Sequence, residues 1–329
     1  MSAHDASEFV YLDHAASSPQ RPEVTEAMAQ VAGLPGNPSA LHGIGRAARR
    51  RVEESREEVA ELVGCHPSEV LFTSGGTEAD NLAVMGGHEA AGPATAPVVT
   101  THTEHAAVTE AVGRLAAGGA PVRWAEVDAG GVLTASALTA SATRGRRSRG
   151  WGGGARATLA SVVWGNNETG VLQDLPALAE IAGERGCVLH SDAVQVLAHA
   201  PLDLSDPRLA GVGLVSLAAH KVGGPQGVGV LVARRGTGLS PTTSAGGRRG
   251  ACGPGRCRWR SRWGWPRPCG RRWGMLRGVL LGVRRASVWR TVRKGRRARR
   301  VLGARRVPGC GPCARRSRSG WWRWASGRG

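Results

Sequence analysis

Lys221 is the one lysine in the first 240 residues of a 329-residue chain that otherwise takes its positive charge from arginine. It follows a histidine and precedes a glycine turn in SLAAHKVGGPQGVGVLV. Arginine performs most surface work of a lysine but cannot form a Schiff base, because its guanidinium stays protonated and delocalised. A lysine kept alone in this setting suggests a covalent aldehyde cofactor.

The elements that must position Lys221 are legible around it. Ile44, Ala48, Val52, Val59, Leu62 and Val63 recur at helical spacing among Arg and Glu, which predicts an amphipathic helix over 40–63 ended by Gly64. EVLFTSGGTEADNLAVM then reads as a strand from Val70 to Phe72, a glycine turn and a helix starting near Thr77. Strand, turn and helix in that order make a phosphate-binding layout. ATLASVVW predicts a buried strand reaching Asn166 and Asn167, LPALAEIAGERG a helix, CVLHS a strand ending at Asp192, and GLVSLAA a strand ending at His220 and Lys221. Alternating strands and helices indicate a largely parallel sheet covered on both faces. In such sheets ligands lie beyond the carboxyl ends of the strands, where Thr77, Asn167, Asp192 and Lys221 all fall.

Singly, each of these residues also has an ordinary reading. Asp192 could cap a turn, Asn167 could be a turn residue, and His105 could be a surface histidine after Glu104. Glycine turns before helices, such as SGGTEAD, are common. Their joint placement is what points to a site.

Composition divides the chain near residue 240. Residues 1–240 hold 18 Lys and Arg against 25 Asp and Glu, a net charge of −7. Residues 241–329 hold 26 Lys and Arg, no acid, eight of the eleven tryptophans, five of the seven cysteines and none of the ten histidines. The overall +19 therefore averages a mildly acidic domain with a basic tail, and does not describe one nucleic-acid-binding surface. The N-terminal run MSAHDASEFVYLDHAASS has no basic start followed by an apolar stretch, and no segment reaches the length of a membrane span. Cys65 and Cys187 are too few for a disulfide framework. A cytoplasmic location without membrane contact is expected, and no metal-ligand set is apparent. The basic loop at 141–157 has no assignable role.

The strings YLDHAASSP, GNPSALHGIGRAARRRVEESREEVAELVG, FTSGGTEADNLA, THTEHAAV, WGNNETGVLQD, HSDAVQ and SLAAHKVGGPQGVGVL, in this order over residues 10–235, resemble the cysteine desulfurases of the class V aminotransferase group. The resemblance implies pyridoxal 5'-phosphate as cofactor and fold type I, a three-layer α/β/α large domain with a mostly parallel sheet. It implies conversion of L-cysteine to L-alanine, with sulfur passed as a persulfide to an acceptor or scaffold protein for iron–sulfur cluster or thio-cofactor assembly. Lys221 would hold the cofactor and shuttle a proton, and Asp192 would pair with the ring nitrogen. His105 would stack on the ring, Asn167 and Gln195 would bond near the ring oxygen, and Gly76, Thr77 and His220 would hold the phosphate. Ala218 stands where the family usually has a serine facing the phosphate. His42 matches the family by string alone.

After Lys221 the family continues with GGGQE and RSGT, the latter reaching the neighbouring subunit of a homodimer. This chain has TTSAGGRRGACGPGRC at 242–257, which is compatible with GGGQEGGVRSGTL when the codons are read from their third base. RWRSRWGWPRP is compatible in the same frame with PVALAVGLAAA. A frameshift between about Leu239 and Gly246 explains the missing acids and the excess of Arg, Trp, Pro and Cys. On this reading residues 1–240 are the cofactor domain, residues 241–329 are an aberrant and disordered tail in place of the small domain, and the mobile-loop cysteine nucleophile of the family falls past Gly329. Cys310 and Cys313 form a CGPC string without the strand and helix that activate such thiols.

The expectation is thus a cysteine desulfurase by family, inactive as written and with its homodimer compromised. The alternatives are another class V lyase or transaminase, such as a selenocysteine lyase, or a non-catalytic protein whose basic tail binds nucleic acid.

Overall fold

The computed structural model describes residues 10–142 and 156–242. The readings of the tail, its CGPC string and most of the 141–157 loop lie outside the described residues. In chain order the elements are α1 (Pro22–Ala32), α2 (Gly43–Val63), β1 (Val70–Thr73), α3 (Gly76–Asn81), a π turn (Leu82–Gly86), α4 (Gly87–Ala91), β2 (Val98–Thr100), α5 (Ala106–Ala117), β3 (Val122–Trp124), α6 (Ala135–Ala142), β4 (Leu159–Ser161), α7 (Leu175–Arg185), β5 (Val188–Asp192), α8 (Val196–His199), β6 (Val212–Ala218) and β7 (Gly229–Ala233).

The seven strands form one sheet in the order β1-β7-β6-β5-β4-β2-β3. Strands β2 to β6 are mutually parallel, and β7 runs antiparallel between β1 and β6. Because β1 and β6 both oppose β7, β1 points the same way as the parallel set. Its carboxyl end therefore opens on the same edge as those of β2, β4, β5 and β6.

Two-residue alternation sends neighbouring side chains into different cores. Val99, Ala160, Leu189, Val215 and Val232 join the core that includes residues of α2, α6 and α7. Val98, Leu159, Leu214 and Leu231 face the opposite core, with residues of α3, the π turn and α5. These are the two helical layers of the expected α/β/α arrangement, and the mostly parallel sheet agrees with the sequence expectation.

Local chemistry shifts several predicted boundaries. α2 starts at Gly43, because His42 caps it by accepting the Gly45 N–H through Nδ1 at 3.3 Å, so residues 40–42 are not helical. Gly64 ends it in the left-handed region, at φ 73°, as expected. β4 is shorter than ATLASVVW suggested, since the chain leaves the ladder after Ser161. In the π turn, a Cβ on Gly86 would lie 2.3 Å from the Ser240 carbonyl oxygen, so only glycine lets the segment after β7 cross this helix. Among the described residues no helix is long and apolar enough to cross a membrane.

Candidate active site

Lys221 ends a short 3-10 turn just beyond β6 and is half-buried. Its ammonium donates to the Ala15 carbonyl at 2.6 Å and the Ala16 carbonyl at 2.9 Å. Gln195, after β5, donates its side-chain amide to the same Ala15 oxygen at 2.8 Å. The strap carrying these carbonyls is tied along the lysine loop, with Ser18 N–H on the His220 carbonyl and Arg21 N–H on the Gly223 carbonyl. Desolvation lowers the Lys221 pKa from the usual lysine value, opposed by the nearby charges of Asp192 and Asp13. A lowered pKa leaves more free amine, the form that attacks an aldehyde.

Asp192 is the last residue of β5 and is 5% exposed, with Oδ1 accepting the Val194 N–H at 2.9 Å. Burial raises its pKa, while that bond and the charges of His105 and Lys221 lower it. His105 is exposed and caps α5 by accepting the Ala107 N–H at Nδ1, 3.1 Å away. His220 has its pKa lowered by partial burial and by Lys221.

At the carboxyl end of β1, Gly75 and Gly76 open the helical run from Gly76 to Ala91, with Thr77 exposed in its first turn. A Cβ on Gly229 of β7 would lie 2.5 Å from the Gly75 carbonyl carbon, so strand and turn approach to a distance that only glycine permits. On its outer side Gly75 faces open space. A Cβ on Gly76 would lie 3.5 Å from the Ala218 Cβ, so the Ala218 side chain lies beside this helix start.

Contacts and electrostatic coupling thus draw Lys221, Gln195, Asp192, His105 and His220 into one neighbourhood, with the Gly76 turn beside Ala218. Asn167 is an exposed turn residue, whereas its neighbour Asn166 donates Nδ2 to the Thr103 carbonyl at 2.9 Å and accepts two N–H groups of its own turn.

Sequence reasoning passed over a buried polar network on the α3 face of the sheet. His190 is fully buried between two hydroxyls, Ser161 Oγ at 2.8 Å from Nδ1 and Ser216 Oγ at 3.0 Å from Nε2. Burial pushes its pKa down to about 3, so it is neutral. Asp80 of α3 is 1% exposed with Oδ1 3.6 Å from His190 Nε2, and burial together with Asp192 raises its pKa well above the carboxylate range. Glu104 accepts the Thr101 hydroxyl at 2.7 Å and the Val163 N–H at 3.0 Å through Oε1, and burial pushes its pKa up to about 8. The available signals were a lone serine in the apolar run GLVSLAA and a histidine inside CVLHSD.

The network makes stability depend on pH. Glu104 ordinarily ionises near 4.5 but holds its proton in the folded protein to about 8, so its stabilising contribution is present at low pH and lost as pH rises between those values. His190 works in the opposite sense, but only between about 3 and 6.5. From pH 6.5 to 8 the protein is therefore expected to lose up to about 2 kcal/mol of stability through Glu104. Thermal melts of Glu104→Gln should show a flatter profile across that window than wild type.

Cys65 and Cys187 are both pushed up to about 12, chiefly by burial. Neither supplies a thiolate at neutral pH. Among the described residues no group of three or more His, Cys, Asp or Glu is arranged to hold a metal ion.

Comparison with known proteins identifies the family of this fold. The chain is 43% identical over 242 residues to the IscS-like cysteine desulfurase of Mycobacterium tuberculosis, covering 72% of this chain and 58% of that protein. It thus spans less than two thirds of that relative's length. A solved NifS-like protein superposes with a TM-score of 0.68 at 29% identity, covering 84% of this chain and 71% of its own. A structure described as SspA in complex with cysteine has a TM-score of 0.68 at 25% identity, covering 88% of this chain and 78% of its own. The model of the family described as aminotransferase class-V matches residues 10–252, which takes in every site residue above. The three-layer α/β/α fold with its mostly parallel sheet is therefore that of the class V aminotransferase family, to which this chain belongs.

Proposed function

We propose that the chain is the cofactor domain of a cysteine desulfurase that binds pyridoxal 5'-phosphate. The observation that carries the reading is the convergence of Lys221 and Asp192 at one sheet edge, electrostatically coupled to each other. The residues present fit this cofactor. Asp192 is a buried acid bonded to a backbone N–H rather than to a cation, and so can meet a protonated ring nitrogen. Gly75 leaves open space at a helix start, where backbone N–H groups favour a phosphate. When bound, pyridoxal phosphate draws electrons from the substrate's α-carbon.

The protein's own groups hold and move protons around that centre. Lys221 Nζ would anchor the cofactor and carry a proton to and from the substrate carbon. Asp192 would keep the proton on the ring nitrogen, and His105 would cover the ring face. Gln195 and Asn167 would bond near the ring oxygen. Gly76, Thr77 and His220 would hold the phosphate. L-cysteine is the substrate, alanine the product, and a sulfur-acceptor or scaffold protein the partner. A cysteine thiolate must attack the substrate sulfur, and the high thiol pKa values exclude Cys65 and Cys187 from that role. We assign the nucleophile to in-frame sequence that the frameshift replaced, together with the small domain and the loop that completes the homodimer.

Resequencing the codons for Arg235–Cys257 tests the frame. Restoration of GGGQE and RSGT, with persulfide released from cysteine by the restored protein, is the expected result. Desulfurase activity from the chain as written would overturn the account. Ala218 gives a further test. Ala218→Ser adds a hydroxyl beside the Gly76 turn and is expected to tighten cofactor binding by about fivefold, near 1 kcal/mol, in an absorbance titration.

A further inference from the structure

We propose that Glu104 is a positioning residue: by accepting the Val163 N–H it holds the loop that presents His105 at the rim of the site beside Asp192. The inference rests on the cofactor-binding reading above and assigns Glu104 a part in it.

Residues 101–105 leave the carboxyl end of β2, and residues 162–166 leave that of β4. Two hydrogen bonds staple these stretches together, Val163 N–H to Glu104 Oε1 at 3.0 Å and Asn166 Nδ2 to the Thr103 carbonyl at 2.9 Å. The second stretch is itself fixed to the strand bearing Asp192, since Trp164 N–H donates to the Asp192 carbonyl at 2.8 Å and Val162 N–H to the His190 carbonyl at 3.0 Å. A continuous path therefore runs from Asp192 through Val163 and Glu104 to His105, the next residue. Glu104 is 9% exposed, and its second oxygen is buried without a hydrogen-bond partner. A buried carboxyl left half-satisfied is costly as a mere packing element, which fits a residue retained for what it holds in place. Thr101 alone could anchor Glu104 in its own loop, but only the Val163 bond reaches the neighbouring strand end. Ionisable groups facing Glu104 are Asp192 on β5 and Asp80 on α3.

The test uses the full chain. The Ala107 amide, capped by His105 Nδ1, reports the position of His105 without cofactor, and an absorbance titration with pyridoxal phosphate reports the loaded site. In folded Glu104→Ala, Ala107 hydrogen exchange should rise by about tenfold and cofactor affinity should fall by a similar factor. Glu104→Gln keeps the acceptor oxygen and should restore both. Because Glu104 acts through His105, Glu104→Ala should add little in a His105→Ala background. Unchanged exchange and affinity in folded Glu104→Ala, or fully additive losses in the double variant, would overturn the proposal.

Should Glu104→Ala not fold, Glu104→Asp, which withdraws the carboxylate from the Val163 N–H by one methylene, takes its place: faster Ala107 exchange is expected, and wild-type exchange in that folded variant would overturn the proposal. A wild-type chain that takes up no pyridoxal phosphate would count against the functional reading, while the exchange arm would still judge Glu104.

Discussion

Lys221→Ala is expected to abolish covalent capture of pyridoxal phosphate. In wild type, borohydride reduction in the presence of the cofactor should leave a label that survives denaturation and maps to the peptide around Lys221. The mapping is unusually clean, because Lys294 is the chain's only other lysine. Lys221→Arg should fail as completely as alanine, since a guanidinium keeps the charge but not the nucleophilic amine. That pair of variants separates covalent chemistry from a charge effect. Lys221 also moves the substrate proton in this reading, so proton exchange at the α-carbon of L-alanine in deuterated water should slow by roughly a hundred- to ten-thousandfold. Little stability should be lost, because the ammonium is half-buried and Gln195 still donates to Ala15. A label persisting in Lys221→Ala would remove the residue from the chemistry.

The elements around the candidate site were largely legible because its residues sit in short strings at strand ends, where side-chain type and position are tightly coupled. VLFTSGGTEAD announces a strand, a glycine turn and a helix in sequence order, and the structure has β1, Gly75 and α3 there. The antiparallel course of β7 was not legible, since GVLVA carries the same apolar pattern whichever way it points. Its direction follows from tertiary pairing between β1 and β6. The π turn at Leu82–Gly86 left no propensity signal, because its one glycine, Gly86, is required by the close approach of the Ser240 carbonyl. The staple through Asn166 rather than Asn167 depends on turn geometry that two adjacent asparagines do not reveal. Asp80, Glu104 and His190 were hidden for a related reason. A polar residue in a buried strand or helix becomes meaningful only when its partners, here from α3, β4, β5 and β6, are assembled around it.

That buried network bears directly on Asp192, the residue for which the second large effect is expected. Asp192, Asp80 and Glu104 are three acids crowded into low dielectric: burial raises the affinity of each for a proton, and the charge of Asp192 raises that of Asp80 and Glu104 further. His190 is held neutral and contributes no countercharge. A protonated ring nitrogen would add a positive partner to those of Lys221 and His105, and Asp192 would in return hold that proton in place. Asp192→Asn keeps the shape and an oxygen able to accept the Val194 N–H, but removes the charge. The variant should fold at least as well as wild type at pH 8, where the buried carboxylate is most costly, and should still form the covalent label at Lys221. Its α-proton exchange should nonetheless fall by about a hundredfold or more, because a neutral amide cannot keep the ring protonated while the substrate carbon gives up its proton. Intact labelling with slowed exchange is the combination that assigns Asp192 to the ring nitrogen. Exchange at the wild-type rate would mean that some other group carries that charge.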